Sequence, residues 1–424
     1  MLKWLSVLTL LALVAGVAVG AAVSGAGNAG AAEALVQVGH VGDLWLNLLR
    51  MTVIPLVFSL LVTGVASVAD AASTGRLAAR SIFVFGVLLV SATVFACVAF
   101  PLVLSVWPVD PEAAANFIAG AGGKPVQAAS PPTIGEWLAG LAPGNAVAAA
   151  AEGAVLPLVV FALFFGFAAT QLPTAQRAPM VGFFRAVADT MIVIVRWVLY
   201  AAPLGVFALA LGVGMTAGVG IVGLIAQYIV IVSAVTAAIV PLAFLFAIVW
   251  GRSNFGRFIN GTAPILAVAM SSRSSLASLP LMVERARDAL GVPDRVANLV
   301  LPMAVAVFRM TSPVANLGVV FFCASVYGHD LSVGAIAMGG LVAIAISIGS
   351  VGLPGEISFI ASVAPISMAM GVPIELLGIL VAVEAVPDIF RTVGNVSGDM
   401  AATVIAAKGQ PASPQEAAPA AQPG

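Results

Sequence analysis

The chain has 424 residues, 61% of them hydrophobic and only 8% charged, with 17 basic and 18 acidic side chains and a formal net charge of -1. A soluble domain carries roughly 25% charged residues, so these charges cannot solvate a surface of this size, and a mean hydropathy of +1.14 agrees. An aqueous enzyme is excluded as the leading reading, and so is a nucleic-acid binder, because the chain offers phosphates no net positive field.

At about 20 residues per helical span, the length accommodates about eight spans plus loops, which predicts an all-α polytopic membrane protein. Lys3 precedes an apolar run from Trp4 to Val23. That run exceeds the usual signal-peptide core of about 7–15 residues, so it reads as an uncleaved first span near 4–24. Further spans are predicted near 45–68, 80–106, 152–170, 183–213 and 219–250. The Pro-, Ala- and Gly-rich stretch 107–150, with Asp110, Glu112, Lys124 and Glu136, reads as a loop outside the bilayer, and the tail from Gly409 reads as disordered. Cys97 and Cys323 lie in apolar runs, where a small buried hydrophobe is favoured over a disulfide. With a cytoplasmic N-terminus, Lys3, Arg76, Arg80, Arg177, Arg185, Arg252, Arg257, Arg285, Arg287, Arg295 and Lys408 fall inside and only Lys124 outside. That orientation requires two segments to enter and leave the membrane on the same side, and it places both termini in the cytoplasm at the inner (plasma) membrane.

Two apolar segments are broken at their centres. Phe258–Val283 is interrupted by Ser271-Ser272-Arg273-Ser274-Ser275, and Leu331–Met370 by a run from Ser347 to Glu356 that contains Gly352, Pro354 and Gly355. A pair of broken hydrophobic segments points to a transporter site built from half-helices, against the alternative of two kinked spans. A central Arg in lipid costs at least ~2.5 kcal/mol unless it faces protein or water.

The final span, near 374–407, carries Glu384, Asp388, Arg391, Thr392, Asn395 and Asp399. At roughly 100° per residue these fall within about 60° of one meridian of a helix. Such a stripe on a membrane helix must face a cavity or a protein partner. An interhelical salt-bridge ladder is the competing reading, with Asp388 and Arg391 as an i, i+3 pair. The continuation through Thr392, Asn395 and Asp399 favours a ligand site.

These residues resemble a known family, the dicarboxylate/amino acid:cation symporters or glutamate transporters. Asp388-x-x-Arg391-Thr392-x-x-Asn395-Val-x-Gly398-Asp399 is similar to the family's last-helix motif. Arg273-Ser274-Ser275 with Ser278-Leu-Pro280 resembles its first hairpin tip, Gly352-Leu-Pro354-Gly355 its second, and Asn47-Leu-Leu-Arg50-Met-x-Val-Ile-Pro55 its second helix. The resemblance spans about Val7 to Lys408. It implies eight transmembrane helices with two re-entrant hairpins (about 256–284 and 331–370), a homotrimer among membrane lipids, and elevator motion of a transport part (about 75–106 and 219–408) against a scaffold (about 1–70 and 150–213). It further implies that Arg391 clamps a substrate carboxylate, that Asp388 holds an amino group, and that Thr392, Asn395, Arg273, Ser274, Ser275 and Gly352 complete the substrate site. The planar guanidinium suits a carboxylate bidentately. No catalytic residue, metal ligand or organic cofactor is implied.

The pattern departs from the family at its cation site. Sodium-coupled members carry Asn-Met-Asp-Gly-Thr where this chain has Arg309-Met310-Thr311-Ser312-Pro313, and oxygen-bearing positions in the third span become Phe85, Leu88 and Leu89. A guanidinium repels a sodium ion; the resemblance implies that Arg309 lies near Asp399, either filling the space an ion takes elsewhere or only neutralising that carboxylate. Asn395, Asp399 and the backbone around Ser347–Ser350 remain as a partial cation site. Glu356 replaces a small residue at the second tip, where it is either a solvated lid residue or, with Glu384, a candidate proton carrier. The reading is a transporter of acidic amino acids, coupled to protons or uncoupled and not needing sodium. A C4-dicarboxylate carrier and a transport-inactive sensor remain open beside it. A membrane hydrolase using a hairpin serine is disfavoured, because His40 and His329 are the only histidines and lie far from Ser274 in sequence.

Overall fold

The computed structural model describes residues 2–27, 29–73, 75–120, 139–218, 221–349 and 355–410. It is helical, with no strand among the described residues. The helices are α1 (Leu2–Gly25), α2 (Ala29–Ser73), α3 (Arg76–Val106), α4 (Pro111–Gly120), α5 (Ala146–Ala151), α6 (Val155–Thr170), α7 (Thr174–Tyr200), α8 (Ala202–Ala217), α9 (Ile221–Ala237) and α10 (Ile239–Val249). They continue with α11 (Phe255–Ser272), α12 (Ser275–Asp288), α13 (Asp294–Val307), α14 (Ser312–Val326), α15 (Val333–Gly349), α16 (Gly355–Ala369), α17 (Leu377–Leu380), a 3-10 turn (Val381–Val383) and α18 (Ala385–Ala407).

Proline sets several of the breaks that hydropathy alone does not reveal. The predicted spans 183–213 and 219–250 each divide, at Ala201 and at Ala238. Pro203 and Pro241 lack the N–H that would bond the carbonyl four residues back. The last span restarts at Ala385 after its 3-10 turn, because Pro387 cannot donate to Val383. The predicted loop 107–150 is not wholly irregular: it contains α4 and α5, the latter capped by Asn145, whose side chain accepts from Val147 and Ala148 N–H. Lys124 and Glu136 lie outside the described residues, as does the tail from residue 411.

Six stretches among the described residues are long and apolar enough to cross a membrane: Trp4–Gly25, Glu33–Ser73, Arg76–Val106, Thr174–Tyr200, Ile221–Val249 and Asp294–Val326. Only 11% of the most apolar window of α7 is buried, and Phe183, Trp197 and Tyr200 stand exposed on it. That apolar surface is suited to lipid or to another protein chain rather than to water.

Packing divides the chain into two compact units, one of Met1–Ala66, Thr93–Val235 and Pro313–Asp388, the other of Ser67–Ala92, Thr236–Ser312 and Ile389–Gly424. In the first, α1 lies against α8, and a methyl group on Gly20 or Gly214 would strike the facing backbone. Small residues permit this close approach where burial of apolar surface between membrane helices is not a driving force. Also in this unit, α15 and α16 pack on each other. In the second, α11 and α12 pack on each other on either side of Arg273. α11 and α12 flank the break read at Ser271–Ser275, whereas the break read between Ser347 and Glu356 falls largely on residues 350–354, outside the described residues. Cys97 and Cys323 are free thiols.

Candidate functional site

The apolar stretch Asp294–Val326 is broken between Val307 and Ser312. Pro313 permits α14 to start there, since its missing N–H falls in a first helical turn. The intervening residues Phe308 to Thr311 press directly on α18. Added Cβ atoms at Gly394 and Gly398 would collide with Thr311 Cγ2 and with Met310, the latter at 2.9 Å. Two glycines one turn apart thus leave a groove on α18 that accepts the turn at Met310 and Thr311.

Hydrogen bonds fix that contact. The Thr311 backbone N–H donates to Asn395 Oδ1 at 2.9 Å. Because a backbone N–H can only donate, the amide orientation of Asn395 is set by this bond. The Thr311 hydroxyl lies 2.6 Å from both Asn395 Oδ1 and the Arg391 carbonyl, sharing one proton between two acceptors. Asn395 Oδ1 is therefore held by the Thr311 N–H and shares the Thr311 hydroxyl proton with the Arg391 carbonyl. The sequence reading kept Asn395 as part of a cation site; in this structure its oxygen accepts from Thr311.

Asp399 is fully buried, and neither carboxylate oxygen accepts a hydrogen bond among the described residues. Its electrostatic neighbour is Arg309, which is half-buried. The sequence-predicted pairing of Arg309 with Asp399 is thus present as a charge interaction rather than a hydrogen-bonded bridge. Phe308 stacks on Phe85 with ring centroids 4.7 Å apart, and Leu88 and Leu89 are buried nearby in sequence on α3. Carbon lines the positions where the resemblance implies oxygen ligands.

The remaining stripe residues lie on the same α18 and its N-terminal approach. Arg391, Thr392 and Asp388 are all buried, with exposures of 5%, 6% and 8%. Glu384 is buried and accepts from the Tyr228 hydroxyl at 3.4 Å. Tyr228 is itself fully buried, packed edge-on to Phe322. Sequence reading missed Tyr228, whose only signal is a hydroxyl inside an apolar run.

Arg273, Ser274 and Ser275 form the tip between α11 and α12 and are half-buried. Arg273 occupies the left-handed region at φ 52. The Ser274 hydroxyl oxygen caps α12 by accepting from Ala277 N–H at 3.2 Å, so this serine has a structural role whatever else it contacts. Gly352 and the Glu356 side chain lie outside the described residues. The reading also passed over an ion pair, Arg50 with Glu375 Oε1 at 2.7 Å; an arginine in the second apolar run signals that it needs such a partner.

Residues 5–409 match the sodium:dicarboxylate symporter family. The chain belongs to that family. Relatives include the proton/glutamate-aspartate symporter of Escherichia coli (strain K12), 30% identical over 87% of this chain and 84% of the relative. The proton/sodium-glutamate symport protein of Bacillus caldotenax is 27% identical over 87% and 86%. The human neutral amino acid transporter B(0) is 30% identical over 84% and 71%. As a symporter-family member the protein is a multi-pass membrane transporter by class, and its family and relatives are not enzymes.

Proposed function

We propose that the protein is a secondary transporter of acidic amino acids across the cytoplasmic membrane, and that it does not require sodium. The observation that carries this reading is the buried polar stripe of α18, with Asp388 one turn from Arg391 on an otherwise apolar helix. An arginine fork takes a carboxylate, and an acid beside it takes an ammonium, so the pair suits an amino acid with a second carboxylate. A relative named for proton, glutamate and aspartate supports the same choice. Thr392, the Asn395 amide and the two hairpin tips, with Gly352 at the second, complete the substrate site in this reading. The scaffold and transport parts follow the boundaries read from the sequence, the chain assembles as a homotrimer, and both termini are cytoplasmic.

The ion reading rests on the segment at 309–311. Thr311 engages the Asn395 oxygen, Arg309 is the cation nearest in effect to Asp399, and Phe85, Leu88 and Leu89 supply no oxygen. At an effective dielectric of ~20, two unit cations 4 Å apart repel by roughly 4 kcal/mol.

The test is uptake by the purified full-length protein in liposomes, with aspartate, glutamate, a neutral amino acid and succinate as substrates. Choline replaces sodium on both sides at matched pH and voltage. Acidic amino acid uptake is expected to persist in choline. Arg391→Ala is expected to lower it by roughly a hundredfold or more, since an unpaired buried anion costs several kcal/mol, while sparing the neutral substrate. A saturable sodium requirement would overturn the ion reading, and preference for succinate over aspartate would make this a dicarboxylate carrier. Substrate binding without uptake would make it a sensor.

A further inference from the structure

In the second unit, a polar cavity of about 450 Å³ opens among the loop after α10, the start of α11, the turn before α13 and the end of α18. Its lining includes Arg252, Arg257 and Lys408 and contains no acidic residue. Asp294, just beyond the lining, is already held by Arg287 at 2.6 Å. None of the three lining cations makes an ion pair among the described residues.

Two of these cations are fixed in place by carbonyls, with donors left over. Arg257 Nε donates to Ala289 O at 2.8 Å, and its guanidinium lies so close to Gly291 that a side chain there would collide with it. Gly291 itself has φ 65, so the turn needs a glycine on both counts. Lys408 Nζ donates to Trp250 O at 3.2 Å, leaving two of its three N–H groups. Arg252 occupies the left-handed region at φ 57, in a turn closed by Ser253 N–H to Ala247 O at 3.1 Å. Glycine would hold that conformation without strain, yet the chain places a cation there. The N-termini of α11 and α13 border the cavity through Asn254 and Pro293 and add positive partial charge.

We propose that this cavity is a binding site for a phosphate-bearing anion. Strained backbone, tethered cations and absent acids together build a site whose charge is uncompensated by the protein. Phosphate of that kind comes either from the headgroup of an anionic lipid, which basic pockets at a membrane's cytoplasmic side take up, or from a soluble phosphate compound.

The experiment uses the full-length protein in neutral detergent, with thermal unfolding followed by intrinsic fluorescence. One arm adds short-chain phosphatidylglycerol against short-chain phosphatidylcholine, and the other adds inorganic pyrophosphate against sulfate-free buffer of matched ionic strength. A site occupied well above its Kd is expected to raise Tm by a few degrees, roughly 3–5 °C. R252Q/R257Q/K408Q is expected to lose that shift. A response to phosphatidylglycerol alone assigns the site to a lipid, and a response to pyrophosphate that also competes with the lipid assigns it to soluble phosphate. Native mass spectrometry of the wild-type protein counts retained lipid, so the question does not depend on the triple variant folding. Equal retention of phosphatidylglycerol and phosphatidylcholine by the wild type, with no pyrophosphate shift, would overturn the proposal. So would an undiminished shift in a folded triple variant.

Discussion

Asp399 and Arg309 are a case in which one residue makes sense only through the other. A fully buried carboxylate with no hydrogen-bond donor at either oxygen is costly unless a nearby charge offsets its desolvation. Burial is the larger effect on this carboxyl, and Arg309 supplies a smaller charge that opposes it. Removing Arg309 leaves the buried carboxylate without that charge, whereas removing both leaves a neutral site. Asp399→Asn and Arg309→Met are each expected to destabilise the protein by about 2–3 kcal/mol, below the fully buried range because Arg309 is half-exposed. The double variant is expected to recover most of that loss, and thermal unfolding of all four proteins in detergent yields the coupling directly. Additive losses would show that the two charges do not stabilise each other. The same logic explains what sequence reading saw and what it passed over. Asp399 and Arg309 stood out because each is a charge at a motif position, while Glu375, the partner of Arg50, sits in an unremarkable approach to the last span.

The segment Phe308–Thr311 and α18 act as one element because their surfaces are cut to fit. Gly394 is the critical position: a methyl there would meet Thr311 Cγ2, and Thr311 cannot rotate away without losing its bonds to Asn395 and the Arg391 carbonyl. In an exposed helix Gly→Ala gains roughly 0.5–1 kcal/mol, but overpacking costs about 1–3 kcal/mol. Gly394→Ala is therefore expected to destabilise, and by more than Gly398→Ala, whose nearest obstacle, Met310 Cβ at 2.9 Å, stands further off than Thr311 Cγ2 does at Gly394. Thermal unfolding of the two variants decides the order. Hydropathy placed the helices well where long apolar runs were uninterrupted, as in α1 and α3. It missed the breaks at Ala201, Ala238 and Val381–Val383, since a proline within an apolar run changes hydrogen bonding without changing hydropathy. The polar stripe was legible because helical periodicity gathers it on one face. The engagement of the Asn395 oxygen by Thr311 was not, because it joins residues 84 positions apart.

For the whole molecule, the consequence of a built-in cation is energetic. A sodium ion drives transport because it enters on one side and leaves on the other, whereas under the proposed function a guanidinium tethered at Arg309 crosses with the transport part in both directions and contributes no net driving force. Under the proposed function, accumulation against a gradient must then come from protons, and the carrier must be a carboxyl group within the protein. Glu384 meets that description: it is 1% exposed and takes a hydrogen bond from the buried Tyr228 hydroxyl at 3.4 Å. Glu356 is the second candidate from the sequence. Gln is close to Glu in size and keeps its hydrogen-bonding capacity at one oxygen, so Glu384→Gln removes the titration with little change in packing. In liposomes with an inward proton gradient, the wild type is expected to concentrate glutamate or aspartate. Glu384→Gln is expected to lose that accumulation while still exchanging labelled for unlabelled substrate at comparable rate. Loss of exchange as well would make Glu384 a substrate-site or structural residue. Accumulation that survives in Glu384→Gln and fails in Glu356→Gln would move the proton to the second hairpin, and accumulation that survives in both would leave sodium-independent uptake without a carboxyl carrier at either position.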